Sequence, residues 1–390
     1  MVNKMIYNFD NFPDRKITES IKWRKFPDDV LPMWVADMDF VSPEPVIRAL
    51  RARVEHGVFG YPQEPPELRE LIVARMAECY HWHIHPEDIV FLPGVVCGFN
   101  LACHSVARQG TDILPGVLVQ PPVYPPFLGA PAYAGLTRQD AELVYNVHGS
   151  YAIDWESFEG AITGQTRLFL LCNPHNPVGR VFRQDELARM AEICLRRGVL
   201  ICSDEIHCDL VYPGHTHIPI ASVDSEIAQH TITLIAPSKT FNIAGLECSY
   251  AIIQNAEIRK RYQEAKVGLV SGVNLMGWVA ALAALRDGQD WLDQLLVYLQ
   301  ANRDYLYDTL KNEIPSIKMV RPEGTYLAWL DCRETGIENP YEFFLNQARV
   351  ALFPGNLFGP GGTGFVRLNF GCPRPMLAEA LQRMKKALED

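Results

Sequence analysis

The sequence predicts an α/β protein, with a large domain built on a doubly wound, mostly parallel sheet and a second, smaller α+β domain. Two observations favour the large sheet: short apolar runs alternate with amphipathic helical patterns, and several of these runs are apolar throughout. Strands that are apolar on both faces are typical of a sheet covered by helices on both sides. A chain of 390 residues, 48% of them hydrophobic, also favours more than one domain.

The alternation begins with two amphipathic helices, predicted over 43–57 and 65–82. Pro43 lies near the first turn of the first helix and Gly57 lies past its end, which are the positions these residue types favour. Strand-like runs follow, with a helix predicted over 183–198 between two of them. The strands are predicted over 88–94, 116–122, 167–174, 199–205, 231–238 and 249–254.

The pattern changes after about residue 285. A long helix is predicted over 290–313, and a final helix begins at Arg374. Between them lie three strand-like runs, over 324–331, 350–355 and 364–371. We therefore predict a large domain over 41–288 and a small domain over 289–390, which residues 1–40 complete as an N-terminal arm.

The composition argues against several classes of partner. A formal charge of -10 disfavours binding to nucleic acid or to anionic membranes. The first residues contain no apolar core of a secretory signal, and the least polar helical stretch, 274–285, is too short to span a bilayer. Ten cysteines without a C-x-x-C pair suit reduced thiols. We expect a cytoplasmic protein that binds neither nucleic acid nor membrane.

Metal binding is also not expected. Cys202, His207 and Cys208 lie close together in sequence and could suggest zinc. No second pair of ligands has the spacing of a zinc site, so we predict no metal.

Polar residues follow one predicted strand after another. In a parallel sheet the carboxyl ends of the strands meet at one edge, where ligands bind. Five strand ends therefore place a set of candidate residues at a common rim. The set comprises Gly94, Val95, Val96, Tyr124, Asn173, Asn176, Asp204, Glu205, His207, Ser238 and Lys239.

Lys239 is the most informative member of this set, because it follows an apolar run that predicts a buried strand. Burial disfavours the charged form of a lysine, and a neutral lysine can attack a carbonyl group to form a Schiff base. Pyridoxal 5′-phosphate (PLP) uses such a lysine and also needs a carboxylate beside its ring nitrogen. Asp204, at a neighbouring strand end, is the natural partner.

Four motifs then resemble a known family. "CNPHNPVGR" (172–180), "SDEIHCDL" (203–210), "APSKTFNIAG" (236–245) and "GFVRLNFGCPR" (364–374) are similar to the fold-type I PLP enzymes of the class I/II aminotransferase superfamily. The resemblance covers nearly the whole chain. Within the superfamily, "MWVADMDF" (33–40) and "HGVFGYP" (56–62) resemble the cystathionine β-lyase-like C–S lyases of the MalY/PatB group.

The resemblance implies a role for each matching residue around the cofactor ring. Lys239 is expected to hold PLP covalently and later to move the Cα proton. Asp204 is expected to pair with the pyridine nitrogen, Asn176 to donate to the ring O3′, and Tyr124 to stack on the ring. His207 is counted with the cofactor-binding residues, since the C–S lyases resemble this chain in having histidine there.

Other residues are expected at the phosphate and at the substrate. The backbone around Val95 and Val96, helped by Ser238, would hold the phosphate at a helix N-terminus. The arginine that usually also holds the phosphate is missing, since "GLECSYA" (245–251) contains none. Arg367 would bind the substrate carboxylate, with Tyr124 and Ala36 beside the substrate. Tyr61 resembles a tyrosine that reaches the phosphate of the neighbouring subunit, which implies a homodimer with shared active sites.

Each of these interpretations has a structural alternative. Lys239 alone could be a surface lysine, Asp204 could cap a helix, and Arg367 could form an ion pair within its strand. The remaining candidates have alternatives of the same kind. Asn173 and Asn176 could be turn residues, Tyr61 and Tyr124 could be core or interface aromatics, and Asp37 and Asp39 could shape the substrate entrance or cap the next helix.

The resemblance implies a PLP-dependent carbon–sulfur β-lyase. Its small-molecule substrate would be L-cystathionine or a related cysteine thioether, and its products a thiol, pyruvate and ammonia. Two alternatives stay open: a PLP-dependent aminotransferase on the same scaffold, and a PLP-carrying regulatory or binding protein.

Overall fold

The structure is a computed structural model that describes residues 5–107, 114–146 and 150–389. Fourteen α-helices lie in these ranges. They are α1 (Ile21–Arg24), α2 (Glu44–His56), α3 (Pro66–Tyr80), α4 (Val95–Val106), α5 (Pro125–Tyr133), α6 (Trp155–Ala161), α7 (Gln184–Arg196), α8 (Ser225–Ala228), α9 (Pro237–Thr240), α10 (Ala256–Lys266), α11 (Leu275–Asp287), α12 (Gln289–Glu313), α13 (Pro340–Phe343) and α14 (Arg374–Glu389). None of them is long and apolar enough to cross a membrane.

The same ranges contain fifteen strands. They are β1 (Leu31–Pro32), β2 (Ile89–Leu92), β3 (Gly116–Val119), β4 (Thr137–Asp140), β5 (Leu143–Tyr145), β6 (Tyr151–Ile153), β7 (Thr166–Cys172), β8 (Leu200–Asp204), β9 (Thr231–Ile235), β10 (Ser249–Ile252), β11 (Lys318–Met319), β12 (Leu327–Asp331), β13 (Val350–Ala351), β14 (Phe353–Pro354) and β15 (Phe365–Asn369).

The main sheet has seven strands in the order β2-β10-β9-β8-β7-β3-β4. The pairs from β9 to β4 are parallel, and only β10 runs in the opposite direction, antiparallel to both of its neighbours. Every residue of β2, β3, β9 and β10 is buried, because helices cover both faces. The predicted doubly wound, mostly parallel sheet is confirmed, and the carboxyl ends of six strands lie at one rim.

A second, antiparallel sheet has the order β11-β12-β15-β14. The N-terminal arm joins this part of the molecule, because β1 pairs in parallel with β13 through Leu31 opposite Val350 and Pro32 opposite Ala351. The two separate sheets agree with the proposed division at residues 41–288, although the domain boundaries themselves stay a prediction.

The predicted helices are present within one or two residues of their expected ends. The helix predicted over 43–57 is observed at Glu44–His56, and Gly57 ends it in the left-handed region at φ 77°. Three predicted strands were too long by three residues at one end: 116–122 ends at Val119, 231–238 ends at Ile235, and 324–331 becomes extended only from Leu327. The residue before Tyr326, Thr325, has a φ of 68°, which an extended strand cannot contain. The run predicted over 350–355 forms two short strands, β13 and β14.

Candidate active site

Four predicted residues lie at the carboxyl ends of four consecutive strands of the main sheet, β9, β8, β7 and β3. Asp204 is the last residue of β8, Asn176 follows β7, Tyr124 follows β3, and Lys239 lies in the single helical turn after β9. The order of the strands therefore brings them to a common rim, as the sequence predicts.

The side chain of Lys239 is directed into this site. Its Nζ donates a hydrogen bond to the carbonyl oxygen of Ala36 at 2.5 Å. Burial lowers the pKa of Lys239 to about 8, and the cationic Arg367 contributes in the same direction, against Asp37 and Asp204. A substantial fraction of the amine is therefore neutral near pH 8, as a nucleophile or a base requires.

Asp204 is a buried carboxylate with one oxygen left without a protein partner. Its Oδ1 accepts the backbone N–H of Ile206 at 3.1 Å, which is the local capping contact that the sequence left open. Turns and not an α-helix follow at 206–209. Within the described chain Oδ2 accepts no hydrogen bond. Burial raises the pKa of Asp204 to about 7, and the charge of Glu205 adds to this. A cationic N–H group beside Oδ2 would restore the charged form.

Arg367 is a buried cation without a carboxylate. It lies in the middle of β15, where NH1 donates to Asn176 Oδ1 at 3.0 Å and NH2 donates to the carbonyl of Trp34 at 2.9 Å. Its Nε is buried and has no hydrogen-bond partner, and no ion pair with Asp or Glu is found among the described residues. The alternative of an ion pair within the strand is therefore wrong. An anion is needed to satisfy this guanidinium.

The other residues around the cofactor ring are arranged by these contacts. Asn176 uses its Oδ1 for Arg367 and accepts the N–H of Tyr124 at its backbone carbonyl, at 3.0 Å. Its Nδ2 stays available as a donor. His207 is buried, and burial lowers its pKa to about 3, with Lys239 and Arg367 adding to the effect. His207 is therefore neutral. Its Nδ1 has no hydrogen-bond partner among the residues that the structure describes.

Asn173 lies at the same rim but has a structural role. Its Oδ1 accepts the N–H of Phe182 at 3.1 Å, and its backbone N–H donates to the carbonyl of Asp204 at 2.9 Å. The side chain is fully buried. The turn interpretation is the one that these contacts favour.

The start of α4 offers unpaired backbone donors at this rim. Gly94 precedes the helix, and Val95 and Val96 are its first two residues. The first N–H groups of a helix have no partner within it and attract anions. The Val95 side chain is buried in the apolar core, so only its backbone can bind a ligand. Ser238, one residue before Lys239, makes no side-chain hydrogen bond in the described part of the chain.

Tyr61 is the one predicted site residue that the structure does not bring to the others. It lies between α2 and α3, in a segment with no regular structure, and its side chain is fully exposed. Val58 and Phe59, both also largely exposed, lie beside it. This position agrees with a role toward a second subunit and excludes a core role within its own chain.

The N-terminal segment 34–39 forms one wall of the site. Side chains from distant elements hold its carbonyl groups: Arg367 at Trp34, Asn369 at Val35 and Asp37, Lys239 and Tyr326 at Ala36, and Asn242 at Met38. The predicted placement of Ala36 in the site is thus explained by its backbone oxygen. The sequence gives no local signal for these long-range contacts.

Asp37 and Asp39 neither cap a helix nor stay unpaired. Arg15 donates to Asp37 Oδ2 at 2.5 Å and to Asp39 Oδ1 at 2.7 Å. Lys22 Nζ lies 2.6 Å from Asp39 Oδ2, and the indole of Trp23 donates to Asp39 at 2.8 Å. These contacts anchor the segment that carries Ala36.

Tyr326 is the functional candidate that sequence reasoning missed. It is fully buried, its hydroxyl donates to the Ala36 carbonyl at 2.9 Å, and its ring lies edge-on to His207 with 5.9 Å between the centroids. The sequence shows it only as one apolar residue of "GTYLAWLD", which predicts a strand and no site.

Known proteins are similar to this chain over nearly its whole length. The model of the family "Aminotransferase class I and II" matches residues 29–384. Cystathionine beta-lyase PatB of Bacillus subtilis is 39% identical over 395 residues, covering 98% of this chain and all of the relative.

Two solved structures are similar over nearly their full length. The structure of OvoB has a TM-score of 0.93 at 44% identity, covering 98% of this chain and 99% of that one. Cystalysin from Treponema denticola, solved with a pyridoxal 5′-phosphate cofactor, has a TM-score of 0.93 at 34% identity, covering 99% of this chain and 100% of that one. The fold is PLP-transferase fold type I, and the chain belongs to the class I and II aminotransferase family.

Proposed function

We propose that the chain is a PLP-dependent carbon–sulfur β-lyase that cleaves L-cystathionine or a related cysteine thioether. The observation that carries the proposal is the convergence of three groups: the buried amine of Lys239, the Asp204 oxygen that accepts no hydrogen bond within the described chain, and Arg367, which reaches the rim at Asn176 and has no carboxylate partner among the described residues. The similarity to PatB, which is named a cystathionine beta-lyase, favours a lyase over the aminotransferases of the same family.

The residues present fit PLP. Lys239 would hold it covalently, the free Oδ2 of Asp204 would face its ring nitrogen, and the free Nδ2 of Asn176 would donate to its ring hydroxyl. Tyr124 and His207 lie at the same rim, where their side chains would pack against the faces of the cofactor ring. The first N–H groups of α4, at Val95 and Val96, would hold its phosphate together with Ser238. When bound, the cofactor withdraws electrons from the Cα of the amino acid.

The protein groups then have separate tasks. Arg367 binds the substrate carboxylate through its unpaired N–H groups, and the rigid contacts to Asn176 and Trp34 fix the orientation. The substrate's amino group would take the place of the Lys239 amine, which is then free and, neutral because of its buried position, accepts the Cα proton. Asp204, once charged, holds the proton at the ring nitrogen. The C–S bond breaks with its electron pair leaving on sulfur, and the protonated Lys239 gives its proton to this sulfur, so that a thiol is released. The three-carbon enamine that remains takes up water to give pyruvate and ammonia.

A homodimer with shared active sites completes the proposal. The side chain of Tyr61 is fully exposed in its own chain, and the apolar side chains of Val54, Val58 and Phe59, a few residues before it, are also largely exposed. Covering such a patch with a second copy would remove it from water and bring Tyr61 toward the partner's phosphate site.

We also propose a cytoplasmic location. Eight of the ten cysteines are buried as free thiols in the apolar interior, as in proteins of reducing compartments.

The decisive experiment incubates the holoenzyme with L-cystathionine, with and without a 2-oxo acid. A lyase releases pyruvate, thiol and ammonia in equal amounts, at a rate that does not depend on the 2-oxo acid. An aminotransferase requires the 2-oxo acid and releases no thiol. A protein that only carries PLP releases neither product, and either of these outcomes overturns the proposal.

A further inference from the structure

The carbonyl oxygen of Ala36 accepts two hydrogen bonds at the centre of the site. Lys239 Nζ donates at 2.5 Å and the hydroxyl of Tyr326 donates at 2.9 Å. A carbonyl oxygen has two lone pairs, so these two donors saturate it. Each donor places a positively polarised hydrogen next to the same oxygen, so each hydrogen bond weakens the other.

We propose that Tyr326 is a positioning residue. By donating to the carbonyl oxygen of Ala36, it weakens the hydrogen bond between that oxygen and the protonated amine of Lys239. Tyr326 thereby favours the neutral amine that has to accept the Cα proton. Because Tyr326 acts through Ala36, it needs no contact with the substrate.

The geometry of Tyr326 is held firmly. The preceding residue, Thr325, has a φ of 68°, a costly conformation for a β-branched residue. Three contacts maintain it: the N–H of Thr325 donates to Leu210 at 2.7 Å, its carbonyl accepts the hydroxyl of Tyr212 at 2.6 Å, and the following strand pairs with β15. The strained residue directly precedes Tyr326, which shares its acceptor with Lys239, and such strain is typical of a functional site.

Other charged and titratable groups also face Lys239, and they stay unchanged when Tyr326 is varied. They are Asp37 of the N-terminal segment, Asp204 and His207 at the end of β8, and Arg367 of β15. Tyr124, before α5, interacts with Tyr326 itself. Burial raises the pKa of Tyr326, so its hydroxyl stays a donor through the pH range in which Lys239 titrates. A difference between the wild type and Tyr326→Phe therefore reports the shared hydrogen bond.

The test measures the ionisation of Lys239 in the full-length, cofactor-free chain. Competitive labelling with acetic anhydride, followed by mass spectrometry of the Lys239 peptide, gives its labelling rate as a function of pH. Tyr326→Phe should raise the pKa of Lys239 by about half to one pH unit, and so lower its labelling rate at pH 7 about 3–10-fold. In the holoenzyme the acid limb of the kcat profile should move to higher pH.

Tyr262→Phe is the matched control. It removes another fully buried phenol, whose hydroxyl donates to the backbone carbonyl of Gly98 at 2.8 Å and neither to Ala36 nor to Thr325. The proposal fails if Tyr326→Phe leaves the Lys239 profile unchanged or shifts it to lower pH, or if both variants shift it equally. Should the phenylalanine variant not fold, Tyr326→Met removes the same hydroxyl and is measured in its place.

The kinetic part of this inference rests on the proposed function, whereas the labelling does not. A wild-type enzyme without lyase activity would overturn the lyase proposal and leave the labelling to decide the role of Tyr326.

Discussion

Lys22 and Asp39 form a fully buried ion pair, with 2.6 Å between Lys22 Nζ and Asp39 Oδ2. Arg15 and Trp23 donate to the other oxygen of the same carboxylate, so all of its partners come from the N-terminal arm. Asp39 lies three residues after Ala36, whose carbonyl oxygen accepts a hydrogen bond from Lys239. Buried charges therefore hold the beginning of the N-terminal arm to the segment of the arm that carries Ala36.

Replacing Asp39 should destabilise the protein strongly. Asp39→Asn leaves Lys22 buried without a counter-charge, and the loss of one partner of a buried pair costs about 3–5 kcal/mol. Urea titration of the wild type and of the variant gives the difference between their free energies of unfolding. Asp29→Asn is the control, since Asp29 pairs with Arg349 at 2.7 Å on the exposed surface. If the two substitutions lowered the free energy of unfolding equally, the burial of the Lys22–Asp39 pair would not be the cause of the loss.

The charge of Asp204 should make the cofactor-free protein less stable as the pH rises. The pKa of Asp204 is about 7 in the folded chain and about 3.9 in an unfolded one. The folded state therefore binds the proton more tightly, and its contribution to stability is complete below pH 4 and is lost as the pH rises through 7. The loss is on the order of 4 kcal/mol.

Asp204→Asn tests this directly, because the amide does not titrate. The stability of the variant relative to the wild type should increase between pH 4 and pH 7 in cofactor-free samples, as measured by urea unfolding at each pH.

The Asp204→Asn variant should bind PLP and lose most turnover, since an amide cannot hold the ring-nitrogen proton. A variant with near-normal kcat would exclude Asp204 from this task.

Arg367→Lys should impair substrate binding while leaving the cofactor in place. Lysine keeps the charge but loses the planar pair of donors for a carboxylate. A lost charged hydrogen bond corresponds to a fall of about 10–100-fold in kcat/KM for L-cystathionine. Arg333→Lys, at a largely exposed arginine in the turn after β12 that pairs with Asp331, should leave kcat/KM unchanged. An unchanged kcat/KM in Arg367→Lys would remove it from carboxylate binding.

Lys239→Ala should abolish the covalent attachment of PLP. Borohydride reduction should fix the cofactor to Lys239 in the wild type, which mass spectrometry of the peptides detects. Reduction of the variant should leave no labelled lysine. A cofactor fixed to another lysine in the variant would show that the attachment site is wrong.

Hybrid dimers test the shared active site. Tyr61→Phe should weaken PLP retention by about 1.5–3 kcal/mol through the lost hydrogen bond to a charged phosphate. Mixing Tyr61→Phe with Lys239→Ala protomers should restore activity, since one of the two sites in each hybrid then contains both native residues. Activity no higher than that of the two parent variants, or a fully active monomer, would contradict the shared site.

The sequence predicted the large sheet and its rim well, because apolar strands and the polar residues after them are local patterns. It did not predict α5, whose prolines at 125, 126 and 131 indicate a loop. Two of them lie in the first turn, where a helix tolerates proline, and tertiary packing compensates for the third.

The contacts that complete the site could not be predicted in the same way. Tyr326 and Lys239 meet at Ala36 across separations of 290 and 203 residues. Likewise, the buried Lys22 has no local signal as a core residue, since only the folded arm places Asp39 beside it. Such contacts depend on the tertiary structure and leave no periodic pattern in the chain.

The wall formed by residues 34–39 has a consequence for synthesis on the ribosome. This segment is synthesised more than 300 residues before Arg367 and Asn369, which hold its carbonyl groups. During that part of translation the segment must therefore remain without these partners, so this wall of the active site forms only after Asn369 has been added.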